Sequence, residues 1–277
     1  MKKILAGTLF LSLFAASACA EPKSATLVLL RSGELEDPAL ECFAGWSDVR
    51  MSREGVKQCF DVGLTMREQN MEFDVIHVSL LDRSIATGWL VASAMNRAWV
   101  PVERYWRLNE RSCGDLEGKT LAEVTAAVGA EQAELWNTSL TTPPPAMAAD
   151  DERSPLSDRR YAAIDSRALP LAESLKDTIN RIAPYWTDTL LPQLGEGKKI
   201  LVVGHKDSLR ALSTWIDASI DDEALAQLQF SYAKPVIYKL EVEDGSVTIV
   251  SREEMTVVDH PIPMPPAPEK KEEPAAK

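Results

Sequence analysis

Short continuous apolar runs alternate along the chain with longer stretches in which apolar residues recur every three or four positions. Residues 26–30 form the first run and stop at Arg31-Ser32-Gly33-Glu34, the pattern of a buried strand that feeds a loop. Ser52 is an N-cap for a helix over 53–69. A second strand is expected over 73–78, and 82–94 carries helical spacing through Ile85, Trp89 and Leu90. A brief strand over 100–102 and one or two helices over 120–136 follow. Residues 141–167, with Pro143-Pro144-Pro145 and many charges, read as a long crossover loop, a kind of segment that is usually functional or mobile.

A helix over 171–191, interrupted near Pro184, leads to 199–203, the clearest buried parallel strand, and then to a helix over 208–218. Residues 236–242 and 246–250 pair around Asp244-Gly245. Strands alternating with helices predict an α/β fold of three layers, a mostly parallel sheet flanked by helices on both faces. Sites in such sheets lie at the carboxyl ends of the strands. Arg31 and His205 each follow a buried strand, so both can reach one cleft.

The two ends depart from this pattern. Met1-Lys2-Lys3, an apolar run over 4–14 and a small-residue stretch over 15–20 have the layout of an export signal too short to span a bilayer. Two processing readings stand side by side. One is cleavage after Ala20; the other is a lipobox, Ala16-Ser17-Ala18-Cys19, with Cys19 lipidated and retained as a membrane anchor. Either places the folded domain, residues 21–258, in the periplasm or on a bacterial membrane. Residues 259–277 are rich in proline and charge and read as an extended or disordered tail.

The chain has 277 residues, a mean hydropathy of −0.15 and a net charge of −12, which argues against a sequence-independent nucleic-acid binder. Export permits disulfides. Cys42, Cys59 and Cys113 remain in the body, an odd number, so one pair leaves a third thiol over. No metal-ligand cluster is visible in the sequence, and it does not specify an oligomeric state.

Five blocks occur in order: Leu29-Leu30-Arg31-Ser32-Gly33-Glu34, Phe43-Ala44-Gly45-Trp46-Ser47-Asp48, Leu81-Asp82-Arg83-Ser84-Ile85-Ala86-Thr87, Trp106-Arg107-Leu108-Asn109-Glu110-Arg111 and His205-Lys206-Asp207-Ser208-Leu209-Arg210. Together they resemble the 2,3-bisphosphoglycerate-dependent phosphoglycerate mutases of the histidine phosphatase superfamily, over roughly residues 26–250. The resemblance implies that superfamily's three-layer fold. It also implies a phosphate-binding role for Arg31 and Arg83, a proton-transfer role for Glu110 and a second histidine at His205.

In the family the opening motif is Arg-His-Gly-Glu, and its histidine accepts the phosphoryl group. Here that position is Ser32. A neutral imidazole attacks phosphorus near pH 7 and leaves again, whereas a serine hydroxyl must first lose its proton and forms a far more stable ester. Loss of the attacking group in other nucleophilic enzymes costs on the order of 10⁶ in rate. Other family ligands differ too: Pro38 stands for an asparagine, Cys113 for a tyrosine, Leu121 for a lysine, Asn137 and Thr138 for arginines, and Asp207 for an asparagine. Asp207 adds a negative charge to the expected pocket and Lys206 restores one positive. Cys42 and Cys113 both border the family's active site, which implies a disulfide across the cleft as readily as two small buried fillers.

Three readings follow. The first is an exported pseudoenzyme that needs no cofactor and keeps weak binding of a small anionic or phosphorylated molecule. The second is an active mutase, with 2,3-bisphosphoglycerate as cofactor, or a periplasmic phosphatase. The third is an interaction protein anchored through Cys19 that works through its tail.

Overall fold

A computed structural model describes residues 21–261; the export-signal and lipidation readings at residues 1–20, and the tail from 262 on, lie outside the described residues. Its centre is a six-stranded sheet in the order β3-β2-β4-β1-β5-β6. The strands are β1 (Lys23–Arg31), β2 (Val75–Val78), β3 (Val102–Arg104), β4 (Lys199–Gly204), β5 (Val236–Glu243) and β6 (Ser246–Glu254). The first four in sheet order run parallel; β5 pairs antiparallel with β1 and β6 antiparallel with β5. The sheet is therefore mixed, a parallel block extended by the expected late hairpin.

The apolar runs of β1 and β4 supply both faces. Leu27, Leu29, Ile200 and Val202 pack with Ile182, Leu209 and Leu212, while Val28, Leu30, Leu201 and Val203 pack with Cys59, Val62, Met66 and Val91. Period-two alternation on a strand covered on both sides produces this division. The covering helices are α1 (Arg53–Glu68) and α2 (Asp82–Ala94) on one face, with α5 (Leu175–Tyr185) and α7 (Lys206–Ile216) on the other. Between α2 and α5, α3 (Leu121–Val128) and α4 (Ala130–Thr138) enclose a small separate core around Phe43, Cys113 and Leu116. The loop over 141–167 follows, with a short 3-10 turn at Arg159–Tyr161.

Local chemistry explains where the elements start. Ser52 Oγ accepts from Gly55 N at 2.8 Å and opens α1, as its sequence signal predicts. α5 begins at Leu175 rather than 171 because Ser174 and Asp177 form a reciprocal capping box. Pro184 does not end that helix. A π-helical turn, Trp186–Leu190, follows it and continues into α6 (Leu191–Gly195), so the proline is absorbed by local widening. α7 begins at Lys206, two residues before the expected start, with His205 as its cap. α8 (Asp222–Gln227), capped by Asp221, was not anticipated.

The domain continues past residue 258. Val258 N donates to Thr65 Oγ1 at 3.0 Å, and His260 N donates to Asp61 Oδ1 at 3.1 Å. Asp259 pairs with Lys57. The start of the expected tail is thus fastened along α1. Among the described residues no helix is long and apolar enough to cross a membrane.

Candidate functional site

Parallel pairing of β1 with β4 sets Arg31 beside Gly204, and Ser32 N donates to the Gly204 carbonyl at 3.1 Å. Pairing of β2 with β4 sets Val78 beside Val203. Ser32, Ser79 and His205, one step beyond three neighbouring strands, therefore meet at one carboxyl edge. The turn after Ser32 needs Gly33, where a Cβ would stand 2.3 Å from the Gly55 carbonyl oxygen. Arg31, Ser32, Arg83, Glu110 and His205 all line a single cavity, with Leu35, Glu41, Ala44 and Tyr232. All five expected cleft residues are brought together.

The floor is fully bonded. Arg83 donates from Nη1 to Ser47 O (2.7 Å), from Nη2 to Gly45 O (2.9 Å) and from Nε to His205 Nδ1 (3.2 Å). An arginine only donates, so Nδ1 is the unprotonated nitrogen and Nε2–H donates to Ser79 Oγ at 2.8 Å. Burial, and then the positive charges of Arg83, Arg31 and Arg181, hold the imidazole well below its ordinary pKa. His205 is neutral with both nitrogens in use. It is also the only imidazole at the cleft: His77 bonds Tyr185 Oη in the core, and His260 lies against α1.

Ser32 is buried, 2% exposed. Neither nitrogen of His205 is free to take its proton, since one accepts from Arg83 and the other donates to Ser79. The wall beside it is Glu110, whose Oε1 accepts from Arg111 N (2.9 Å), Asp207 N (3.0 Å) and Ser208 N (3.2 Å), the last two at the start of α7. Desolvation, and next the nearby Asp207 carboxylate, keep the Glu110 pKa above the usual range. Its backbone carbonyl is pinned by Trp46 Nε1 (2.6 Å) and Arg181 Nη2 (3.0 Å), and Glu173 in turn holds Arg181 at 2.6 Å.

Asp207 does not line the cavity. Its carboxylate lies between Arg111 Nε (2.7 Å) and Arg210 Nη1 (2.8 Å). Burial alone would raise its pKa, but the two guanidiniums outweigh burial and hold it low. The added negative charge expected in the pocket is thus neutralised behind the wall, and Lys206 is not a lining residue either. Leu121 opens α3, Pro38 opens a short 3-10 turn, and Asn137 lends only its carbonyl, to Arg111 Nη2 at 3.3 Å.

The disulfide offered as one reading is not formed: Cys42, Cys59 and Cys113 are all free. Cys113 Sγ faces the carbonyl oxygens of Arg111 (3.6 Å) and Cys42 (3.9 Å), so it meets its neighbour's backbone rather than its thiol. Burial raises the pKa of all three thiols, that of Cys59 to about 11, which leaves them poor nucleophiles.

Sequence reasoning missed the mouth. Arg31 Nη2 donates to Glu41 Oε1 at 2.9 Å, Nη1 donates to Phe230 O at 2.9 Å, and the guanidinium lies 3.5 Å above the Tyr232 ring. The cavity that remains is about 10 Å³, room for about one water. No periodicity or motif marks Tyr232, which arrives from the loop before β5. Among the described residues no group of three or more His, Cys, Asp or Glu side chains is arranged to hold a metal ion.

The family profile described as Histidine phosphatase superfamily (branch 1) matches residues 27–164. A 2,3-bisphosphoglycerate-dependent phosphoglycerate mutase of Nitratidesulfovibrio vulgaris is 42% identical over 216 residues, which cover 78% of this chain and 86% of the relative. Among solved structures, a phosphoglycerate mutase from Bacillus anthracis aligns with a TM-score of 0.58 at 21% identity, covering 83% of this chain and 93% of its own. A mycobacterial glucosyl-3-phosphoglycerate phosphatase aligns with a TM-score of 0.59 at 19% identity, covering 80% and 98%. At those identities the two structures speak to the fold alone.

Proposed function

The chain belongs to the histidine phosphatase superfamily and is related to the phosphoglycerate mutases; from that premise we propose that it is a degenerate member without mutase activity, whose cleft retains weak binding of a phosphate-like anion. One observation carries the reading. The residue after Arg31 is a serine rather than an imidazole, and the single cleft imidazole has both nitrogens bonded to Arg83 and Ser79. Phosphoryl transfer through this cleft therefore lacks an activated nucleophile.

The fit to the family's cofactor supports the same reading. The lining offers two guanidiniums already bonded to protein groups, and about 10 Å³ of space. That does not suit the two phosphates and carboxylate of 2,3-bisphosphoglycerate. The proposed export through residues 1–20 agrees, because glycolytic phosphoglycerates are cytoplasmic.

A second reading, an active mutase or phosphatase, is favoured by the 42% identity to a protein of that name. Turnover separates the two. The mature protein is assayed with 3-phosphoglycerate plus 2,3-bisphosphoglycerate, and separately with p-nitrophenyl phosphate, beside Ser32→Ala. The proposal expects background rates from both proteins. Turnover by the parent at rates typical of enzymes, lost on Ser32→Ala, would make Ser32 a working nucleophile and overturn it; turnover surviving the substitution would overturn it as well, with another residue responsible.

A further inference from the structure

The contacts at the cleft mouth have a consequence for what the site admits. Arg31 is nearly enclosed, its side chain 9% exposed, whereas that of Glu41 is 36% exposed and stands in the turn that follows Pro38–Leu40. A carboxylate accepting a charge-assisted bond from a sheltered guanidinium occupies the place that an external oxyanion would take. With Glu41 present, the cavity lining carries the guanidiniums of Arg31 and Arg83 against the carboxyl groups of Glu41 and Glu110. The Glu41 carboxylate thus already answers the Arg31 guanidinium, and less attraction remains there for a phosphate dianion.

Tyr232 adds a second, independent observation. Its ring supports Arg31, and its hydroxyl oxygen is buried with no hydrogen-bond partner among the described residues. Arg31, Glu41, Glu110 and Arg83 are the charges that act on that hydroxyl. A buried hydroxyl without a partner is unfavourable, and a ligand oxygen in the cleft would satisfy it.

We infer that Glu41 is the resident anion of the cleft and Tyr232 its unspent donor, so that a single tetrahedral oxyanion enters only by replacing the Glu41 carboxylate on Arg31 and accepting from the Tyr232 hydroxyl. The inference rests on the reading that the cleft binds phosphate without transferring it. Both free phosphate and the phosphoryl end of a monoester have this chemistry. Glu41 has an advantage over either. A group tethered through a short stretch of chain competes at an effective concentration on the order of millimolar. Dilute phosphate is excluded while Glu41 is charged and in place.

The test is calorimetric titration of the mature chain and of Glu41→Gln with inorganic phosphate, and in parallel with phenyl phosphate. Glu41→Gln keeps the shape and removes the competing charge, and is expected to bind phosphate about tenfold more tightly than the parent, since charge-assisted bonds are among the strong ones. Adding Arg31→Met to Glu41→Gln should abolish the gain, and adding Tyr232→Phe should remove about fivefold of it. Phenyl phosphate should bind no better than phosphate, because the cavity has no room for the ring. Equal phosphate affinity in the parent and Glu41→Gln overturns the inference. A gain that survives Arg31→Met overturns the placement of the anion, and one unchanged by Tyr232→Phe overturns the role of the hydroxyl. Tighter phenyl phosphate overturns the size limit. None of these readouts depends on turnover, so a parent enzyme found active would remove the proposed function while leaving the competition by Glu41 separately measurable.

Discussion

Arg83 at the floor of the cleft spends three donors on two backbone carbonyls and an imidazole, all sheltered, whereas Arg31 at the mouth divides its bonds between one carbonyl and a partly exposed carboxylate. The floor partners belong to the backbone or to the protein's own neutral histidine and cannot leave without loosening the loop around Gly45. The partner at the mouth is a side chain that can rotate into water. One residue type therefore serves two ends: Arg83 is a structural tie between α2, the loop over 43–48 and the start of α7, and Arg31 is a binding group held in reserve.

Breaking the floor should produce the largest effect. Arg83→Met strands the carbonyls of Gly45 and Ser47 and the Nδ1 of His205, and we expect a loss of about 3–5 kcal/mol in urea unfolding at pH 7. A loss no greater than that of a surface substitution would erase the distinction between floor and mouth.

Next in size is a pH effect under the same loop. Burial pushes the Glu117 carboxyl up to about 7, and its Oε1 accepts from Ser112 Oγ and Cys113 N, both at 3.3 Å. The folded value lies above the unfolded one. The contribution to stability is thus complete below about pH 4.5, where both states hold the proton, and is lost as pH rises toward 7 and the unfolded chain ionises first. The loss amounts to about 3 kcal/mol between pH 4 and pH 8. Glu117→Gln should flatten that part of the stability profile, measured by unfolding midpoints across the range.

Ser32→His probes the centre of the cleft. An imidazole placed beside a cavity of about 10 Å³ is expected to cost about 1–3 kcal/mol through overpacking. It should bring no turnover, because His205 stays bonded to Arg83 and Glu41 stays on Arg31. A gain of mutase activity from this one change would mean that the floor and mouth are compatible with catalysis as they stand. The smallest expected effect is on the stability of Glu41→Gln, within about 0.5 kcal/mol of the parent, as for other partly exposed ion pairs. A larger loss would make Glu41 part of the scaffold rather than a displaceable partner.

The contrast also marks what the amino-acid sequence could reveal. Arg31, Ser32 and His205 were legible because each ends a run of buried apolar residues, and parallel strands bring their carboxyl ends together. α2 falls at its expected bounds because its apolar spacing and the acidic residue in its first turn agree. The start of α7 was displaced because a histidine is not an ordinary capping residue, and that shift matters, since it sets Asp207 in the first turn between Arg111 and Arg210 rather than facing the cavity. The mouth was illegible for a different reason: Arg31 meets the Phe230 carbonyl across a sequence separation of 199, a contact that depends on sheet order and leaves no periodic trace.

The most direct test of the central claim, that this cleft no longer captures a phosphoryl group, is intact-mass analysis of the mature chain incubated with labelled 2,3-bisphosphoglycerate. The quench is denaturing and at mildly alkaline pH, where both a phosphohistidine and a serine phosphate ester survive. The account predicts the unmodified mass and no label in the protein. A single phosphoryl group bound in stoichiometric yield, mapped to Ser32 or His205, would contradict it.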